Sequence, residues 1–176
     1  MYGNKADNLI KLNANGINVP EFIVVSEEDK SDEFVNSDKL YAVRSSCSAE
    51  DAVDASFAGQ FDTYLNVKPD DVPAKISDIR ESFKQAVEYS KQKNIDLSNA
   101  GMNVIVQEMV DSDISGVLFT ANPSGILNES VIVAGRGLGE GIVSDKTDTT
   151  SYYYNLTDKV YYYEGREELL DNDTIR

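Results

Sequence analysis

The run from Tyr41 to Val67, YAVRSSCSAEDAVDASFAGQFDTYLNV, constrains this chain more than any other stretch. Two apolar, strand-like segments, Leu40 to Val43 and Phe61 to Val67, bracket an arginine, a cluster of small hydroxyl residues and a Phe57-Ala58-Gly59-Gln60 turn. In the second segment Phe61, Thr63 and Leu65 alternate with Asp62, Tyr64 and Asn66, the period of a half-buried strand. A bidentate cation, short donors and a backbone that permits close approach are suited to holding phosphate. The same residue types also suit an antiparallel sheet with a polar loop, so composition leaves both readings open.

The remaining pattern alternates helices and short strands. Asn4 is the expected N-cap of a helix that carries Leu9, Ile10 and Leu12 and ends at Asn15-Gly16. Phe22 to Val25 is a strand-length apolar run, and the acidic stretch from Ser26 to Asp38 reads as a surface loop or frayed helix. Pro73 opens a helix with Ile76, Ile79, Phe83, Ala86, Val87 and Ser90 at three- and four-residue spacings, which frays near Lys93-Asn94. Strands are expected at Val104 to Val110, Ser115 to Thr120 and Ser130 to Ala134, with a turn at Asn122-Pro123-Ser124-Gly125. Ser151 to Asn155 and Val160 to Tyr163 read as a hairpin whose tyrosines pair across the strands, in preference to a base-stacking platform.

Charge and composition exclude several function classes. With 31 acidic and 16 basic residues the net charge is -15, which repels nucleic-acid backbones and anionic lipid. No apolar run approaches the ~20 residues of a membrane span. The single cysteine, Cys47, cannot form an internal disulfide, so a reducing cytoplasm is the expected compartment. Arg44 next to Cys47 would lower a thiol pKa, but the chain has no histidine to serve as a base, which argues against a catalytic cysteine. Any anion site must be made by local cations working against the global field, and Lys5, Arg44 and Lys146 are the candidates.

Four blocks in order carry a family resemblance: Gly3-Asn4-Lys5-Ala6-Asp7-Asn8-Leu9 with Gly16-Ile17-Asn18-Val19-Pro20; the Arg44 to Gln60 run; Val106-Gln107-Glu108-Met109-Val110 with Ser115 to Thr120 and Asn122-Pro123; and Gly137-Leu138-Gly139-Glu140-Gly141-Ile142-Val143-Ser144. Together they resemble the N-terminal nucleotide-binding domain of phosphoenolpyruvate synthases, pyruvate phosphate dikinases and rifamycin phosphotransferases. The resemblance implies an α+β, ATP-grasp-like fold in which two lobes close over ATP, here as one partial domain, 1–176, hinged near 107–110. It implies Mg-ATP as cofactor and a phosphotransferase that passes phosphate to a histidine on a swivelling domain and on to pyruvate or a similar acceptor on a further domain.

Residue by residue, the resemblance places Arg44 on the distal phosphates, where its guanidinium would stabilise charge in transfer; pairing with Glu50 or Asp51 is the structural alternative. Lys5 would contact phosphate at the opening of the first helix, while Asn4 and Asp7 stand where the family prefers glycine, and Asp7 would add negative charge there. Gly59 and Thr63 flank the turn that approaches phosphate or ribose. Gln107, Glu108, Met109 and Val110 would form the hinge that reads adenine, with core packing the alternative for Met109 and Val110. The glycine-rich loop between Arg136 and Lys146 lacks a Walker lysine and serves equally as a site of positive φ angles.

The chain has no histidine, and nothing in it matches the family's later acidic-Gln-x-Arg segment, so magnesium ligands are expected outside it. Glu167 to Asp173 reads as the start of a further helix, making the domain incomplete at its C-terminus. A non-catalytic binding or regulatory relative with a decayed site is the alternative expectation.

Overall fold

A computed structural model describes residues 2–26, 29, 38–47, 63–92, 101–144 and 147–175. They form two compact units divided between Val110 and Asp111. Each unit is built on a four-stranded antiparallel sheet with helices, compatible with the α+β class.

In the first unit, α1 (Asn4–Ala14) precedes β1 (Phe22–Val25), β2 (Tyr41–Cys47) and β3 (Thr63–Val67). A 3-10 turn at Pro69–Asp71 then leads into α2 (Val72–Gln92) and β4 (Met102–Glu108). The strand order is β1-β4-β2-β3. The apolar stripe of α2 closes one face of this sheet: Val72, Ile76, Ile79 and Phe83 are buried against Val25, Tyr41, Val43, Cys47, Val67, Met102, Val104 and Val106. Side chains of that size contribute roughly 1.5–3 kcal/mol each on full burial, which makes this layer the main stabilising core of the unit. Lys75 reaches back from α2 to lie 4.4 Å over the Tyr64 ring.

Three expectations change here. The cap of α1 is Gly3, at φ 90°, and Asn4 is already helical. Gly3 occupies this place because a Cβ there would come within 2.7 Å of Ser46 Oγ and 2.9 Å of the Cys47 carbonyl carbon. Within α1 only Ala6 is buried, while Ile10 and Leu12 are exposed. The strand expected to end at Val43 continues to Cys47, because Arg44, Ser45 and Ser46 pair in register with Ile105, Val104 and Asn103. In β3 the simple alternation fails. Tyr41 pairs with Val67 but Val43 pairs with Tyr64, a bulge that accommodates Asn66 at φ 55°. Tyr64 and Val67 therefore both face the α2 core. At the far end of α1 the expected stop is found: Gly16, at φ 72°, closes it with its N–H on the Asn13 carbonyl.

The second unit is a meander, β5 (Ile114–Phe119), β6 (Glu129–Arg136), β7 (Thr149–Asn155) and β8 (Tyr161–Glu164), with the five-residue helix α3 (Gly139–Val143) between β6 and β7. The tyrosines pair across the hairpin as expected. Tyr152 faces Tyr163, Tyr154 faces Tyr161, and Tyr153 stacks on Tyr162 with ring centroids 4.8 Å apart. Residues 165–171 form a non-helical strap, and of the helix expected from Glu167 to Asp173 only the end is helical, in Asn172–Ile175 (α4). The strap is held by the fully buried Tyr152, whose hydroxyl accepts the N–H groups of Leu169 (2.6 Å) and Leu170 (2.8 Å), and by Thr150, whose hydroxyl donates to the Glu167 carbonyl at 2.7 Å. Asn122-Pro123-Ser124-Gly125 is a turn, with the Gly125 N–H on the Asn122 carbonyl and Glu129 Oε1 accepting from Asn122 Nδ2 at 2.6 Å.

Much of the acidic stretch after Ser26, residues 48–62 with Glu50, Asp51 and Gly59, the helix end near Lys93-Asn94, and Lys146 lie outside the described residues.

Candidate functional site

Strand alternation decides which expected residues meet. On β2, Tyr41, Val43, Ser45 and Cys47 face α2, and Ala42, Arg44 and Ser46 face the other way. Cross-strand pairing carries this second face outward: Arg44 lies opposite Thr63 on β3 and Ile105 on β4, and Ala42 lies opposite Gln107. Arg44, Thr63 and Gln107 thus occupy one face of the first sheet, and α1, which carries Lys5, is anchored to that face through Ser46. Arg44 is half-buried and Thr63 exposed, whereas Gln107 is 8% exposed and donates through Nε2 to the Pro20 carbonyl at 3.4 Å.

The anchor of α1 is a knot that sequence reasoning missed. Ser46, fully buried, accepts the Ala6 N–H at 3.1 Å and donates to the Tyr2 carbonyl at 2.9 Å. The Tyr2 N–H is held by Asp7 Oδ1 at 3.1 Å, and the Asp7 N–H by the Gly3 carbonyl at 2.9 Å. Asp7 therefore turns its carboxylate back on the chain's own start. Ser46 lies 40 residues from Ala6 and 44 from Tyr2, so no local pattern announces that contact; the small residues Gly3 and Ala6 facing a serine are the only trace.

Glu108 stands apart. It pairs with Tyr41, on the α2 side of the sheet, and its carboxylate binds Lys39 Nζ at 2.6 and 2.5 Å. That hydrogen bond holds the Lys39 ammonium above the usual lysine range. A cleft of about 460 Å³ opens beside it at the β1 edge of the sheet, lined by Asn13, Pro20, Phe22, Ile23, Tyr41 and Glu108 among others. The Glu108 and Met109 amides donate to the Glu21 and Leu40 carbonyls, each at 2.9 Å. Val110, 55% exposed, ends the first unit.

Two other candidates resolve structurally. Cys47 is buried in the α2 core. Arg136, beside the glycine-rich loop, makes a bidentate pair with Glu167 at 2.9 and 3.0 Å, which holds that carboxyl below the usual range. Gly137 takes φ 82°, and Ile142 of α3 packs on Gly135. Among the described residues no three His, Cys, Asp or Glu side chains gather as metal ligands, and no helix is long and apolar enough to cross a membrane.

A sheet face that joins an arginine, a threonine and the helix of a lysine carries the donor types that could hold an anion. Residues 23–167 match the family described as the pyruvate phosphate dikinase, AMP/ATP-binding domain, and the chain belongs to that family. It is 37% identical over 139 residues to a probable phosphoenolpyruvate synthase of Methanocaldococcus jannaschii, covering 75% of this chain and 12% of that protein. It is 40% identical over 138 residues to the phosphoenolpyruvate synthase of Pyrococcus furiosus, covering 76% and 17%. With the rifampicin phosphotransferase of Streptomyces sviceus the identity is 49% over 108 residues, covering 59% and 12%. The chain thus spans less than a fifth of the length of each of these relatives.

Proposed function

We propose that this chain binds Mg-ATP on the Arg44 face of its first sheet, as the nucleotide-binding part of a phosphotransferase that moves phosphate from ATP to a histidine on another domain and on to pyruvate or a similar acceptor. The observation that carries the reading is the convergence of Arg44, Thr63, Gln107 and the helix of Lys5 on one face. Arg44 and Lys5 take the distal phosphates, Thr63 adds a hydroxyl donor, and Gly59 lets backbone amides approach. In this reading the chain contributes to an ATP-grasp-like fold hinged near 107–110, and the division into two units after Val110 is compatible with a hinge there. Because the amides of Glu108 and Met109 serve the sheet, adenine is read by the Val110 amide and the hinge carbonyls, with Met109 as a soft wall.

Phosphoryl transfer asks little covalent chemistry of a protein; positioning and charge neutralisation lower the barrier. Arg44 supplies both, since its planar fork fixes phosphate oxygens while it offsets their charge. Magnesium, when bound, would offset phosphate charge; its ligands, like the acceptor histidine, are assigned to other domains of the parent enzyme, since no cluster of metal-ligating side chains is found among the described residues.

Calorimetric titration of the chain with Mg-ATP and with AMP, repeated on Arg44→Ala, tests this. Losing one charge-assisted bidentate contact is expected to weaken ATP about tenfold or more and AMP hardly at all. Equal weakening of both ligands, or no binding by the folded wild-type chain, would contradict it.

A further inference from the structure

We infer that Ser46, together with Gly3, is a positioning residue of the nucleotide site: it sets the distance between Lys5 and Arg44 so that both meet the same phosphate chain. The inference rests on the phosphate reading of those two cations. Lys5 precedes Ala6, whose N–H the Ser46 hydroxyl accepts at 3.1 Å; Arg44 lies two residues before Ser46 on the same face of β2. One oxygen therefore ties the helix of one cation to the strand of the other. Its proton goes to the Tyr2 carbonyl at 2.9 Å, so the hydroxyl is used in both directions and cannot turn to a ligand. Gly3 completes the joint. Its φ of 90° and the absence of a Cβ let α1 start within contact of Ser46 and Cys47. Ala6, bonded to Ser46, is the only buried residue of α1, so this joint is where the helix enters the core.

A positioning error is felt by a ligand that needs both cations and ignored by one that needs neither. Ser46→Ala is therefore expected to weaken Mg-ATP roughly tenfold, the scale of one or two lost hydrogen bonds, while AMP affinity stays within about twofold. The decisive readout is a double-mutant cycle with Lys5→Ala. If Ser46 acts through Lys5, Ser46→Ala costs ATP almost nothing in the Lys5→Ala background. Gly3→Ala displaces the same joint by crowding Ser46 and the Cys47 backbone, and must reproduce the ATP-selective loss if Ser46→Ala fails to fold.

A loss shared equally by ATP and AMP, or a Ser46→Ala effect undiminished in Lys5→Ala, overturns the inference while leaving the phosphate reading intact. Insensitivity of ATP affinity to Lys5→Ala itself overturns both.

Discussion

Ser45 and Ser46 are adjacent in sequence and opposite in consequence. As two short hydroxyls after an arginine they read as a pair of phosphate donors. Alternation along β2 separates them: Ser46 turns toward α1 and is fully used, while Ser45 turns toward the α2 core, where its buried Oγ finds no hydrogen-bond partner among the described residues. An unmet buried hydroxyl costs about 1–3 kcal/mol, so Ser45→Ala is predicted to raise the urea midpoint and leave ATP affinity unchanged. A fall in stability, or a loss of ATP binding, would show that Ser45 has a partner or a ligand after all. The role proposed for Arg44 rests on its residue type within the motif. The fate of the serines was not legible there, because it depends on where β2 ends, and that is decided by pairing with β4 some 60 residues away.

At the scale of elements, legibility follows the range of the interactions. The spacing of Ile76, Ile79 and Phe83 marks α2, and the aromatic hairpin is marked by a run of tyrosines on each side of a short turn, both local signals. The β3 bulge at Asn66 and the strap at 165–171 escaped notice because each is set by a distant partner, Tyr41 in one case and Tyr152 in the other. The strap ends at a cap that the acidic ending disguised. Asp171 accepts the Thr174 hydroxyl at 2.6 Å and its N–H at 2.8 Å, and these bonds hold the carboxyl below its ordinary pKa. A carboxyl with a depressed folded-state pKa stabilises above its unfolded value, and the contribution is lost as pH falls through the folded one. Asp171→Ala is thus predicted to lower the urea midpoint at pH 7, with the difference from wild type shrinking as pH drops below the usual carboxylate range near ~4. A difference that persists undiminished in acid would mean that the cap does not depend on charge.

For the molecule as a whole, two sheets in two units and one cation-bearing face connect the fold to the family. The family was legible because its blocks lie in order along the chain, and the match over residues 23–167, which contains three of the four, bears the family out. The geometry adds what a motif cannot show, namely which side of the first sheet is presented and which neighbours the site excludes. Glu108 sits inside a matched block, yet its carboxylate faces Lys39 on the other side. For a chain of net charge -15 to bind a polyanion, it must do so at a local concentration of cations, and the Arg44 face is the proposed one. The most direct test is an amide-resolved NMR titration of the chain with Mg-ATP. The account predicts saturable shifts at Lys5, Arg44, Thr63 and Val110, with Ile76, Ile79 and the Tyr161–Glu164 strand silent. Shifts concentrated on α2 or on the cleft beside Glu108, with Arg44 and Lys5 unmoved, would contradict it.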